Sequence, residues 1–144
     1  MTNLTYVSPC FIVASLKTSV SFYVDKLGFE IRYRGPDDDP FFAMVGRDPI
    51  SIMLKQIADD IKPIPNHTRH KYARWDAYIS VAEPDTLFEE YRSRGVAFRQ
   101  PIQDDGDGLR GFEIADADGY VLFFGATEVI SLFQMTRQKL TRYV

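Results

Sequence analysis

An internal repeat is the feature that most constrains how this chain can fold. "VASLKTSVSFYVDKLGF" begins at Val13 and "VAEPDTLFEEYRSRGVAF" begins at Val81, and four residue types recur at a shift of 68. Two apolar–turn–apolar stretches, 42–54 and 112–124, align without a gap at a shift of 70. Solenoids stack at least three repeats, so two copies indicate one duplicated unit instead.

Each copy predicts a strand, a helix and then three strands. "TYVSPCFIV" and "WDAYISV" are typical of strands, and apolar residues at helical spacing follow each of them. Ser15 is a candidate N-cap, and Gly28 suits the left-handed end of the first helix. Pro84 and Gly95 mark the corresponding limits of the second helix. "FEIRYR" and "VAFRQP" then predict return strands ahead of the two hairpins. The expected buried helix positions are Leu16, Val20, Tyr23 and Leu27 in one copy and Leu87, Phe88 and Tyr91 in the other.

These elements predict an α+β fold in which two tandem βαβββ units form a curved mixed sheet with a concave cleft. We expect a single domain over residues 1–144. Unit one would span about 5–56, a linker 57–74 and unit two 75–126. The apolar spacing after Thr127 predicts an additional C-terminal helix over 127–144.

Composition excludes several classes of protein. The chain is 45% hydrophobic, which argues against a disordered chain, and its net charge of -3 without a dense Lys/Arg cluster argues against nucleic-acid binding. No apolar run approaches the roughly 20 residues that span a bilayer, and the N-terminus lacks the pattern of a signal peptide. The single Cys10 fits a reducing compartment. We therefore predict a cytoplasmic protein that binds neither membranes nor nucleic acids.

Two of the repeated stretches resemble the vicinal oxygen chelate superfamily of glyoxalases, bleomycin-resistance proteins and extradiol dioxygenases. "VASLKTSVSFYVDKLGFEI" is similar to the family's strand, helix and "FY…LGF" segment. "GFEIADADGYVLFFG" is similar to its closing hairpin, with Ala117 in place of a proline and Tyr120 in place of an asparagine. The resemblance implies the paired-unit fold, and that fold hosts many chemistries.

The resemblance also locates the positions that hold a metal ion in other members. Here those positions carry Ser8, Met53, Asp76 and Phe123. Only Asp76 has a side chain that suits a hard divalent cation, because such sites are built from imidazoles and carboxylates. We therefore predict no metal, no cofactor and no catalytic residue. His67 and His70 lie in the proline-containing linker and are interpreted as solvated loop residues, and Cys10 as a structural residue.

Strand alternation predicts instead a cleft of aromatic, methionine and hydroxyl side chains with one acid, which is typical of a small-molecule pocket. Trp75, Tyr78 and Phe123 would supply stacking surface, and Asp76 would orient a donor or a cation. Arg110 lies where bleomycin-resistance proteins often have "WG-R-E-F". The predicted ligand-binding residues are Ser8, Cys10, Ser51, Met53, Trp75, Asp76, Tyr78, Arg110 and Phe123.

The leading hypothesis is a metal-independent binder similar to bleomycin-resistance proteins, which sequesters an aromatic or cationic, antibiotic-like molecule. The resemblance further implies a homodimer. One alternative is a superfamily enzyme, a glyoxalase-like lyase or a dioxygenase, with an unusual or metal-free site. Another is a protein-interaction or regulatory module.

Overall fold

The computed structural model describes residues 1–127, which form two compact units. One unit comprises residues 1–77 with 115–121, and the other comprises 78–114 with 122–127. The structure contains two four-stranded sheets and few helices, so the predicted α+β class with two tandem βαβββ units is confirmed. That the chain is a single domain stays a prediction.

The first sheet has the strand order β1-β4-β3-β2. Its strands are β1 (Cys10–Ile12), β2 (Glu30–Gly35), β3 (Phe42–Arg47) and β4 (Ile50–Lys55). β1 pairs with β4 in parallel, whereas β4 with β3 and β3 with β2 are antiparallel. β1 and β2 therefore run in the same direction, and the helix between them must run back against both.

That helix, α1 (Leu16–Ser21), continues as a π-helical turn over Phe22–Lys26. The Ser15 hydroxyl accepts a hydrogen bond from the Thr18 backbone N–H at 3.3 Å, which confirms the predicted N-cap. Gly28 has a φ of 71°, as expected of a left-handed helix end. All four predicted core positions of this helix are buried: Leu16, Val20, Tyr23 and Leu27.

The second sheet has the order β5-β8-β7-β6. Its strands are β5 (Ala77–Ser80), β6 (Gln100–Asp104), β7 (Leu109–Ala115) and β8 (Val121–Thr127), and α2 spans Pro84–Ser93. Pro84 begins the helix, and Gly95, with a φ of 75°, follows its end, as predicted. An aromatic cluster packs beneath α2: Tyr91, Phe112 and Phe124 are buried, whereas Phe88 and Phe98 at its edge are only partly buried. Of the helix positions predicted to be buried, Tyr91 is buried, and Leu87 and Phe88 are only partly buried.

Two predicted strands differ from the observed ones. The strand expected over 5–13 is only Cys10–Ile12, because Pro9 has no N–H with which to extend the ladder. The strand expected over "VAFRQP" starts at Gln100 instead. Residues 96–99 lead the chain out of α2, and the Val96 N–H still donates to the Tyr91 carbonyl oxygen at 3.0 Å.

The two hairpins align without a gap only in the strands that follow their turns, β4 and β8. In the first hairpin, Ala43 and Val45 occupy the buried positions opposite Leu54 and Ile52. In the second, Phe112 is buried, whereas its aligned partner Phe42 is only partly buried. Arg47 pairs with Ile50 across the first turn, which encloses two residues, whereas the Asp116 N–H donates to the Tyr120 carbonyl oxygen at 2.8 Å across the second turn, which encloses three. The extra residue shifts the strand before the second turn by one position relative to the alignment. Of the predicted C-terminal helix, Thr127 ends β8, and 128–144 lie outside the described residues.

Candidate functional site

Four of the predicted binding residues lie together on the first sheet. The Ser8 hydroxyl donates to the Ser51 carbonyl oxygen at 2.9 Å, and Cys10 lies opposite Met53 in the β1–β4 register. Cys10 is an exposed free thiol, and Met53 is half-buried. Their strand neighbours Phe11 and Leu54 point into the core instead. The four residues therefore form one small polar and thioether surface on the sheet face away from α1.

Arg32 belongs to the same surface, although strand alternation did not indicate it. Its guanidinium donates to the Ile50 and Asp48 carbonyl oxygens at 2.7 and 2.6 Å and to the Ser51 hydroxyl at 3.0 Å. It lies across Gly46, where an added Cβ would overlap it. Arg32 thus fixes the Ser51 side chain and the β3–β4 turn.

The second unit has a related arginine, and spacing alone could have revealed the pair. Arg32 comes four residues after Gly28, and Arg99 comes four residues after Gly95. Arg99 donates to the Glu113 carboxylate at 2.6 Å. Glu113 is only 1% exposed, so the buried carboxylate depends on this cation.

Asp76 is engaged by backbone groups. One carboxylate oxygen accepts the Asn66 N–H at 2.9 Å, and the other accepts the Val121 N–H at 2.8 Å. The neighbouring Trp75 is half-buried, and the Arg74 guanidinium lies over its ring at 5.6 Å. The Trp75 carbonyl oxygen accepts a hydrogen bond from the Asn66 side chain. Asp76 therefore fastens the linker and the start of β8 to the chain just before β5.

Tyr78 and Phe123 form a flat aromatic surface on the second sheet. Their ring centroids are 5.6 Å apart and the planes are inclined by 18°. The Phe123 ring lies over Gly111 and Gly125, at both of which an added Cβ would overlap it. Phe123 is 2% exposed, whereas Tyr78 is 41% exposed. Because the sheet has glycines at these two positions, the buried Phe123 ring can lie flat against it and support the exposed Tyr78 ring. We call these two residues the aromatic platform.

Arg110, also on the second sheet, is held by two carboxylates. Its guanidinium donates to both Asp85 oxygens, at 2.9 and 2.6 Å, and lies 3.2 Å from an Asp104 oxygen. The hydrogen bond with Asp85 raises the pKa of Arg110 and lowers that of Asp85. A ligand that engages Arg110 would have to compete with these carboxylates.

The donor chemistry at the family's metal positions does not fit a metal ion. Phe123 has no donor atom, Met53 offers only a soft thioether, and both Asp76 oxygens already accept backbone hydrogen bonds. Within residues 1–127, no group of three or more His, Cys, Asp and Glu side chains could hold an ion. His67 Nε2 lies 3.0 Å from the Gly119 carbonyl oxygen, which gives this linker histidine a structural partner.

The tip of the second hairpin contains a buried carboxylate and belongs to the first unit. The Asp116 carboxylate accepts the Tyr23 hydroxyl at 2.7 Å and the N–H groups of Asp118 and Tyr120. Burial raises the pKa of Asp116 to about 6, against the lowering effect of these hydrogen bonds. Tyr120 stacks on Phe11 at 4.4 Å, so the tip is anchored to the first unit's core.

Comparisons with known proteins are consistent with this architecture. The family model of the Glyoxalase/Bleomycin resistance protein/Dioxygenase superfamily matches residues 5–124. Comparison with curated proteins gives no match. Among the described residues, no helix is both long and apolar enough to cross a membrane.

Several solved structures share the fold. The bleomycin-binding protein of Streptomyces verticillus, complexed with copper(II)-bleomycin, is 27% identical with a TM-score of 0.64, and the match covers 89% of this chain and 100% of that one. TnmS3, an antibiotic binding protein from Streptomyces sp. CB03234, is 18% identical with a TM-score of 0.65, over 89% and 100%. A glyoxalase-related enzyme from Clostridium phytofermentans is 16% identical with a TM-score of 0.69, over 88% and 97%.

Proposed function

Because the chain belongs to the glyoxalase/bleomycin resistance protein/dioxygenase superfamily, we propose that it is a metal-independent binder of small planar molecules of the antibiotic type. The aromatic platform is the observation that carries this proposal. An exposed tyrosine ring backed by a parallel, buried phenylalanine ring offers a rigid stacking surface at little cost in side-chain entropy.

The chemistry around the platform favours a neutral or cationic aromatic ligand. Ring faces carry partial negative charge and attract cations. The whole chain has a net charge of -3, and the guanidinium of Arg110 is occupied by carboxylates. An anionic ligand would have to displace these carboxylates from Arg110.

Two of the three relatives named above support a binding role, and the third is described as a glyoxalase-related enzyme. The Streptomyces verticillus protein is described as bleomycin-binding and TnmS3 as antibiotic binding. A catalytic role of the superfamily's metal-dependent kind would need ligating side chains where this chain has Ser8, Met53 and Phe123. Sequestration, by contrast, needs only a complementary surface.

We also propose Ser8, Cys10, Ser51 and Met53 of the first unit as ligand-binding residues. The Ser8 hydroxyl donates to a carbonyl oxygen and the Ser51 hydroxyl accepts from Arg32, so both groups are held in fixed orientations. Fixed hydroxyls select ligands by orientation. Trp75, Asp76 and Arg110 belong to the same proposal, although each is already engaged by neighbouring groups.

The test is a binding titration with Tyr78→Ala as the variant and Tyr72→Ala as the control. Tyr72 is 78% exposed and lies in the linker. Planar antibiotics, including bleomycin with and without copper(II), would be titrated calorimetrically. We expect saturable binding that Tyr78→Ala weakens by about ten- to a hundredfold, since one stacked ring contributes roughly 1–3 kcal/mol. The control should bind like the native protein. Equal weakening by both variants, or no binding across the panel, would contradict the proposal.

We also propose that the protein is a cytoplasmic homodimer, as the leading hypothesis implies. The exposed Cys10 thiol is compatible with a reducing compartment. Light scattering after size exclusion would give the mass directly, and a mass of one chain of 16.5 kDa would contradict the dimer.

A further inference from the structure

The first unit has a concavity that contains none of the proposed ligand-binding residues. It is a groove of about 520 Å³ beside α1 and β2. This volume lies within the range of small-molecule sites. Val20, Val24 and Ile31 line it with aliphatic surface, and Ile31 is 45% exposed.

Three charged side chains, Lys17, Asp25 and Arg34, line the same groove. Lys17 lies in the first turn of α1, and Asp25 lies near the end of the π-helical turn. They are eight positions apart along the helix, which is at most about 12 Å at the α-helical rise. Among residues 1–127, none of the three side chains forms an ion pair or a hydrogen bond.

The strand directions place Arg34 at the Lys17 end. α1 runs against β2, because β1 and β2 are parallel and the helix connects them. Residues late in β2 therefore lie beside the start of α1, and residues early in β2 beside its end. The groove has two cations at one end, one carboxylate at the other and an aliphatic stretch between them.

We propose that this groove binds an elongated zwitterion with an apolar middle, namely a short apolar peptide with free termini. Three extended residues span roughly 10 Å, which matches the separation of the charged ends. The peptide carboxylate would lie between Lys17 and Arg34, and its ammonium group beside Asp25. The hydroxyl of Ser21 lines the same groove and can accept or donate a hydrogen bond.

Trivaline, its N-acetylated form and its C-terminal amide are the probes. Titration of the full chain, followed by methyl NMR shifts and calorimetry, should show saturable binding of trivaline with shifts at Val20, Val24 and Ile31. Acetylation and amidation should each weaken binding about two- to fivefold, because an exposed charge pair contributes up to about 1 kcal/mol. Free valine, too short to reach both ends, should bind more weakly than trivaline.

Substitutions in the chain test where the peptide binds and which of its termini lies at each end of the groove. Arg34→Gln should weaken trivaline but leave the amide unchanged, and Asp25→Asn should weaken trivaline but leave the acetylated peptide unchanged. Ser21→Trp should block the groove, whereas Thr18→Trp, on the same helix but outside the groove, should not. Unsaturable trivaline binding, equal affinities of all three peptides, or unchanged binding by Ser21→Trp would each overturn the proposal. The affinity of the aromatic platform for planar ligands should be the same in all these variants.

Discussion

The Asp116→Asn substitution tests most directly how the buried Asp116 carboxylate, at the tip of the second hairpin, contributes to the free energy of unfolding. The Asp116 carboxylate is 6% exposed, and burial raises its pKa from 3.8 to about 6. In the variant, the amide oxygen can still accept the Asp118 and Tyr120 N–H groups, and the amide nitrogen can donate to the Tyr23 hydroxyl. The substitution therefore removes the titration while it keeps the hydrogen bonds.

The size and sign of the effect follow from proton linkage. Between pH 3.8 and about 6 the folded chain keeps the Asp116 proton while the unfolded chain loses it. The free energy of unfolding therefore falls as the pH rises through this window. At about 1.4 kcal/mol for each tenfold change in acidity, the full contribution is about 3 kcal/mol. It is complete below pH 3.8 and absent above about pH 6.5.

Urea unfolding of the native chain and of Asp116→Asn, measured from pH 3.5 to 7.5, gives the difference directly. The variant should become more stable relative to the native chain by about 3 kcal/mol as the pH rises from 3.5 to 7.5. Other carboxylates titrate in both proteins, so the difference isolates Asp116. A stability difference that stays constant across this range, or that changes in the opposite direction, would refute the reasoning.

Three further substitutions test packing and pairing. Gly125→Ala places a Cβ against the Phe123 ring, so we expect a loss of about 1–3 kcal/mol in denaturant unfolding and weaker binding of planar ligands. Arg99→Met removes the cation that donates to the buried Glu113 carboxylate and should cost about 2 kcal/mol, a value reduced because Arg99 is partly exposed. The double variant with Glu113→Gln should recover more than half of this loss, and no recovery would contradict the pairing. Ser15→Ala removes the N-cap and should lower stability by about 1 kcal/mol, whereas an unchanged melting midpoint would show that the cap is dispensable.

The internal repeat was sufficient to predict the fold, because each copy contains both the residues that begin and end its helix and the apolar strands that pair into a sheet. Ser15, Gly28 and Gly95 are positions where backbone chemistry alone dictates a cap or a left-handed residue. The limits of β1 and β6 were not predictable in this way. These limits depend on which backbone N–H and C=O groups pair with a neighbouring strand, and the hydrophobic pattern of the sequence does not determine that pairing.

The candidate site was predictable only in part. Strand alternation predicted that Cys10 and Met53 face the same cleft, and the structure pairs them in register. The sequence pattern could not show that backbone N–H groups donate hydrogen bonds to both Asp76 carboxylate oxygens, since those donors belong to residues 66 and 121. Nor could it show that Phe123 lies flat, because that requires two glycines on adjacent strands beneath one ring.

The central claim is that this superfamily member binds its ligand through an aromatic platform without a metal ion. The most direct measurement is the affinity for the best planar ligand of the panel, before and after treatment with EDTA and after addition of Zn²⁺, Mn²⁺ or Fe²⁺. The account predicts the same dissociation constant in every case. Binding that is lost with EDTA and restored by one of these ions would contradict it.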